Sequence, residues 1–171
     1  MEHIKLYTDG GCRGNQTNKN IGAYGFRLEF WVNGELIAEK EESKGEYNTT
    51  NNIQELKGMI NGLKAINDKE MKTIVYSDSA YCINGITSWI DGWKQKGWVN
   101  SKKEAVKNRE LWIELDNLRN QFRDISFIKV KGHSTDEGNN RVDFILNEEM
   151  DKLEKIKGCD IFDALKDDMG I

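Results

Sequence analysis

The sequence predicts an α/β domain with a mixed β-sheet, on three observations. Ile4 to Gly10 alternates apolar and polar residues with a period of two, which is strand spacing. Thr49 to Ile66 repeats at helical spacing instead. Directly after it, Lys72 to Ser77 is a short, nearly continuous apolar run, the pattern of a strand covered on both faces. A helix between two strands makes a crossover, so the later strand can lie parallel to the first.

Taken in order, Ile4, Leu6 and Thr8 alternate with Lys5 and Tyr7 until the turn signal Asp9-Gly10-Gly11, which is expected to end the first strand. Asp9 then stands at a strand's end, where open sheets place their crevices, although an average Asp-Gly merely starts a turn. Cys12 to Asn20 is expected to be a polar loop that carries Asn15 toward the same crevice. Ile21 to Trp31 is the second strand, Asn33-Gly34 the strongest short hairpin signal, and Leu36 to Tyr47 the third strand, completing an antiparallel meander. Behind a Thr/Asn cap, Ile53, Leu56, Ile60, Leu63 and Ile66 form the apolar stripe of a helix. At ~100° per residue Glu55 falls on the flank of that stripe, so its carboxylate borders the sheet.

Lys72 to Ser77 ends in Asp78, so a second strand also delivers an acid. Ala80 to Trp98 reads as two short helices broken near Gly85 and Gly97, Val106 to Phe122 as a longer helix, and Ile125 to Val130 as the fifth strand. A glycine-bounded polar loop then leads into a last helix with Val142, Ile145, Leu146, Met150, Leu153 and Ile156 on one face and Asp143 on the flank. Gly158 is expected to stop it, leaving Asp160 to Met169 as a small separate amphipathic helix. The organisation expected is one domain over 1–157 and a short tail over 158–171.

A chain of 171 residues, 37% hydrophobic and 32% charged, suits one domain with a sizeable core. No apolar run approaches the ~18 residues of a membrane span and no signal-peptide pattern opens the chain, so a cytosolic protein is expected. Cys12, Cys82 and Cys159 are odd in number and lack any C-x-x-C, which points to free thiols rather than disulfides or a structural zinc site. The net charge of -4 argues against a protein that coats nucleic acid. Between Lys94 and Arg109, however, Lys94, Lys96, Lys102, Lys103, Lys107 and Arg109 face only Glu104, next to Trp93 and Trp98. That segment is either a solvated face or a local cationic surface for one duplex.

Asp9, Glu55, Asp78 and Asp143 thus come from two strand ends and two helix flanks around one crevice. Four anions together repel one another and call for cations. Hard oxygen ligands without cysteine select Mg²⁺ or Mn²⁺, and two such ions ~3.5 to 4 Å apart can drive in-line hydrolysis of a phosphodiester.

These residues and their flanks resemble the type 1 ribonuclease H family. The matching segments are Y-T-D-G-G-C-R-G-N at 7–15, T-N-N-I-Q-E-L at 50–56, Y-S-D-S at 76–79, the tryptophan-rich run at 83–98 and V-K-G-H-S at 130–134 leading to Asp143. Each is weak alone, but all five in order are specific, and they span Ile4 to Leu153. The resemblance implies a ribonuclease H-like fold: a five-stranded mixed sheet, three antiparallel strands then two parallel ones, with helices on both faces. It implies an endonuclease that cleaves the RNA strand of RNA/DNA hybrids with two Mg²⁺ ions, Mn²⁺ as a substitute, leaving 5'-phosphate and 3'-hydroxyl ends. By it, Asp9 bridges both ions, Asp143 serves the water-activating side, and Glu55 and Asp78 serve the leaving-group side. His133 matches a loop histidine that assists proton transfer or product departure.

The substrate contacts implied are Asn15, Asn51, Asn52 and Gln54 at the hybrid's minor groove, and Thr50 and Asn108 at a DNA-strand phosphate, with Asn48 where some members place an Arg. Tyr81, Trp89, Trp93 and Ser101 match the DNA-strand channel, and the segment with Lys94 and Lys96 matches a basic protrusion. For Trp89 and Trp93, core packing is an equal alternative. A monomer without an obligate protein partner or a tethered polymerase is expected. The competing classes are a non-cleaving hybrid-binding module, which would need a damaged acid set, and a resolvase- or transposase-like nuclease, which would lack the Asn-rich helix start and the tryptophan-rich basic run.

Overall fold

The two alternating stretches and the hairpin signal become three long strands, β1 (Glu2–Arg13), β2 (Ile21–Val32) and β3 (Glu35–Tyr47), paired antiparallel. Asn33 and Gly34 both take positive φ, 50° and 83°, as a tight hairpin turn between twisted strands requires. This computed structural model describes residues 1–14, 20–131 and 136–168, with side chains up to Ile156.

Helix α1 (Asn51–Lys64) follows, capped by the Thr50 hydroxyl, which accepts from the Ile53 N–H at 3.1 Å. It crosses to β4 (Thr73–Ser77), parallel to β1, and β5 (Ile125–Lys129) adds parallel to β4. The strand order is β3-β2-β1-β4-β5, the mixed five-stranded sheet that the sequence predicts.

Each sheet face has its own apolar layer. On one, Leu56, Met59, Ile60 and Leu63 of α1 meet Leu6, Phe26 and Val75, joined by Trp112 and Leu115 of α4 (Arg109–Arg119). On the other, Val142, Leu146 and Met150 of α5 (Glu137–Asp168) cover Tyr7, Ile21 and Ala23. Side chains this size contribute about 1.5–3 kcal/mol each when fully buried, so both helix layers are firmly held.

Four expectations are corrected. β1 does not stop at Gly10 but runs on to Arg13, paired with β2 throughout. Gly10 is there for closeness rather than for a turn, since a Cβ on it would lie 2.4 Å from backbone atoms of Gln54 and Glu55. Gly85 breaks nothing either. Its φ and ψ are helical, and α2 (Ala80–Asn84) passes through a wider π-helical turn, Gly85–Trp89, into α3 (Ile90–Gln95). A Cβ on Gly85 would lie 2.0 Å from the Trp112 ring, so α4 packs directly on its backbone.

The long helix begins at Arg109, not Val106, because Asn108 takes left-handed φ of 60°. Finally, α5 continues through Gly158 to Asp168 instead of stopping. A single glycine costs a helix only about 1 kcal/mol, which neighbouring turns readily offset.

Candidate active site

The parallel ladder between β1 and β4 closes at Thr8 and Ser77, so Asp9 and Asp78 are the next residues on two adjacent strands. Asp9 is thus not at the end of its strand but at the end of that ladder, where β1 leaves β4 behind. Asp78 is pinned from both sides. Ser77 Oγ accepts from the Ser79 N–H at 3.1 Å, and Ser79 Oγ caps α2 by accepting from the Cys82 N–H at 3.1 Å. The absence of a side chain at Gly10 lets α1 lie close on β1 and brings Glu55 to the same point.

Oxygens of Asp9, Glu55 and Asp78 lie within 4.8 Å of one another. Asp143, on the first turns of α5, lines the same open cavity of about 420 Å³ without joining that tight group. The Gly10 N–H donates to Asp9 Oδ1 at 2.9 Å, while Glu55 Oε2 is buried with no hydrogen-bond partner.

Burial first and Asp78 second push the Asp9 carboxyl up to about 8, with Asp143 adding to the rise and the Gly10 N–H opposing it. Burial, then Asp9 and Asp78, likewise hold Glu55 well above the ordinary carboxylate range. Like charges packed this closely and left without cations are unfavourable. The donor set is all oxygen and one buried carboxylate oxygen is orphaned, so the residues fit a hard divalent cation.

Asn51 and Asn52 open α1 in the cavity wall beside the acids. Gln54 does not reach that surface. It is fully buried and its amide donates to Glu46 and, at 2.7 Å, to Thr49 Oγ1, so it supports the groove from beneath. His133 and Asn15 lie outside the described residues.

A second cluster forms around Tyr81, whose hydroxyl accepts from Asn108 Nδ2 at 3.2 Å and from Trp112 Nε1 at 3.0 Å. Trp89 meets Tyr81 edge-on and Trp93 at a tilt, with ring centroids 5.9 Å apart in each case, and remains 39% exposed, while Trp93 packs against the core beside Trp112. Trp93 is thus part of the core's edge, while Trp89 stays open to solvent.

Lys94 is not a free cation, because its ammonium binds the buried Asp116 at 3.0 Å. Lys96, Ser101, Lys102 and Lys103 are exposed. Lys96 caps the end of α3, and the turn that carries the other three is organised by Asn100, whose side-chain oxygen accepts from the N–H groups of Lys102 and Glu104.

Several contributors escape a reading of the sequence. Asn20 exchanges two hydrogen bonds with the Thr49 backbone, 2.6 and 2.8 Å, and so ties the entry to β2 to the start of α1. Asp116 accepts from Arg119 at 2.5 Å as well as from Lys94, and Arg119 also donates to the Ile86 carbonyl in the π turn at 2.7 Å. An acid set into the apolar run around Leu115 and Leu118 is the signal that could have revealed it.

Comparison with known proteins agrees with this geometry. The family model described as RNase H matches residues 1–151. The ribonuclease H of Clostridium botulinum is 47% identical over 155 residues, covering 90% of this chain and 99% of that protein. The ribonuclease H of Acetivibrio thermocellus is 44% identical, covering 91% and 99%. Among solved structures, LC9-RNase H1, described as a type 1 RNase H with the type 2 active-site motif, superposes with a TM-score of 0.78 at 25% identity, over 89% of this chain and 74% of that one. Sequence coverage, fold and the converging acids lead to one assignment: the chain belongs to the RNase H family, as a type 1 member.

Proposed function

We propose that the chain is a metal-dependent endoribonuclease that hydrolyses the RNA strand of RNA/DNA hybrids, leaving 5'-phosphate and 3'-hydroxyl ends. The observation that carries this is the trio of carboxylates within 4.8 Å, one of them with an orphaned buried oxygen, in a chain that matches ribonucleases H over nine-tenths of its length.

Two ions of the Mg²⁺ class, with Mn²⁺ able to replace them, supply an activated water and offset the charge that develops on the phosphate oxygens. Asp9, grouped with Glu55 and Asp78 and also felt by Asp143, would be the shared ligand. Asp143 serves the side of the attacking water, and Glu55 with Asp78 the side of the leaving oxygen. Asn51 and Asn52, whose amides both donate and accept, face the 2'-hydroxyls that distinguish RNA from DNA. Thr50 and Asn108 hold a phosphate of the DNA strand, which runs on past Tyr81, the exposed Trp89 and Ser101 toward Lys96 and its neighbours. In this reading His133 assists proton transfer or product departure, and Asn15 contacts the minor groove.

No helix among the described residues is long and apolar enough to cross a membrane. We place the enzyme in the cytoplasm as a monomer, with catalysis in residues 1–157 and the last residues as an appendage.

An end-labelled assay comparing RNA/DNA hybrid, double-stranded RNA and double-stranded DNA tests the reading. Internal cuts confined to the RNA strand of the hybrid, and only with Mg²⁺ or Mn²⁺, are expected. Equal cutting of all three duplexes, or cutting that persists in chelator, would overturn it.

A further inference from the structure

Among the four acids, Asp143 sits apart from the tight group and lies on a different layer of the fold, so something must set its distance from Asp9. The extension of β1 beyond Asp9 supplies a candidate. Arg13, the last residue of that strand, lines the acid cavity and reaches α5. Its Nη2 donates to the side-chain oxygen of Asn147 at 3.0 Å and to the Asn147 carbonyl at 3.4 Å. Its Nη1 pairs with Asp151 at 2.8 Å and Glu154 at 3.1 Å. Positions 143, 147, 151 and 154 are spaced by four, four and three, so they form one stripe along α5.

The hydrogen-bond directions are informative. An amide has one accepting end and one donating end. Because Arg13 holds the oxygen of Asn147, its nitrogen must face away, and Nδ2 donates to the Asp143 carbonyl at 2.8 Å and approaches Asp143 Oδ1 at 3.4 Å. The guanidinium cannot lose its proton, so this orientation does not reverse with pH. The pairs with Asp151 and Glu154 are different, since those carboxylates are 61% and 50% exposed and are screened by water.

We propose that Arg13 is a positioning residue for the fourth carboxylate: by fixing Asn147 it aims the amide nitrogen at Asp143 and presets that acid to take a divalent cation beside Asp9. This rests on the metal-dependent nuclease reading above. Groups that orient a ligand from behind govern metal affinity by about 10- to 100-fold, so the effect belongs in metal binding and not in the fold.

The test is Mn²⁺ binding to the full chain without nucleic acid, followed by calorimetry and by Mn²⁺ electron paramagnetic resonance, with thermal melts alongside. Arg13→Met and Asn147→Ala are each expected to weaken binding about tenfold. The double variant should be no weaker than either single one, because both remove the same connection. Asp151→Asn combined with Glu154→Gln severs the other arm of Arg13 and should leave Mn²⁺ affinity unchanged.

Wild-type affinity in either Arg13→Met or Asn147→Ala overturns the proposal. So does an equal loss in the Asp151/Glu154 variant, which would mean that Arg13 merely docks the helix. Should Arg13→Met fail to fold, Asn147→Ala decides the matter alone. A wild-type chain that binds no Mn²⁺ and cuts no hybrid would instead overturn the nuclease reading itself.

Discussion

Two buried carboxylate sites in this protein are built in opposite ways. Asp116, 3% exposed, sits between Lys94 and Arg119, and Arg119 extends the network to a carbonyl of the π turn. Asp9, 5% exposed, has as close neighbours two further acids and a single backbone N–H. The first arrangement is complete within the chain and ties α3 and the π turn to α4. The second is complete only with cations from outside. Burial alone therefore does not mark a functional acid; what marks it is burial among like charges, with no ion pair to a Lys or Arg among the described residues.

The largest expected effect comes from replacing the two acids in parallel. Asp9→Asn should lower hybrid cleavage by roughly a thousandfold, as the loss of a preorganised electrostatic group in an active site does. Its effect on stability should have the opposite sign. The Asp9 carboxyl titrates near 8 in the fold against 3.8 ordinarily. Between those values the folded chain retains a proton that the unfolded chain has released, so without metal the stability contribution falls as pH rises from about 4 to about 8.

Asn at this position removes that penalty. At pH 8 in chelator, Asp9→Asn should therefore melt several degrees above wild type, at about 2–4 °C per kcal/mol for a chain of this size. Asp116→Asn should do the reverse and melt lower with or without metal. A loss of about 2 kcal/mol is expected, below the usual range for a broken buried pair, because Lys94 and Arg119 retain access to water. Scanning calorimetry in EDTA and in Mg²⁺ separates the cases, and equal signs for both variants would erase the distinction.

The same contrast can be sharpened through two glycines. Ala at Gly10 would press into the backbone of α1 beside Glu55, whereas Ala at Gly85 would press into the Trp112 ring. Each should cost about 1–3 kcal/mol through overpacking. Only Gly10→Ala should also weaken Mn²⁺ binding, since it pushes one ligand-bearing helix away from the strand that carries Asp9. Mn²⁺ titration of both variants checks this, and an unchanged affinity in Gly10→Ala would detach the close helix packing from the function.

These glycines also show where the sequence was readable and where it was not. Periodicity carried the sheet, its parallel step and the flank position of Glu55, because those follow from local spacing. It misread Gly10 and Gly85 as punctuation, because a glycine needed for close approach looks the same in sequence as one needed for a turn. Gln54 stands between two solvent-accessible asparagines and Glu55, yet its amide points inward to Thr49 and to Glu46 of β3, a partnership invisible from the helix alone. The Asp116 network was hidden for the same reason, since Lys94 and its acid come from different helices.

The smallest effect concerns the lysines, and it separates the charge that the segment from Lys94 to Lys103 uses for structure from the charge it leaves open. Lys94 is held by Asp116, whereas Lys96 is exposed at the end of α3, and Lys102 and Lys103 are exposed in a turn that Asn100 preorganises. Each exposed lysine that contacts a phosphate should steepen the salt dependence of hybrid binding by about one unit in log Kd against log salt, through counterion release. Replacing Lys96, Lys102 and Lys103 by Gln should therefore flatten the slope and raise KM while leaving kcat and the melting temperature near wild type.

Lys94→Gln should lower the melting temperature and change the slope less than any of the three, because its charge is already committed to Asp116. Binding isotherms at several salt concentrations measure this directly. If Lys94→Gln flattened the slope as much as Lys96→Gln, the ion pair with Asp116 would have to open on binding, and the Asp116 site would no longer be a self-contained, prepaired counterpart to the acid cleft.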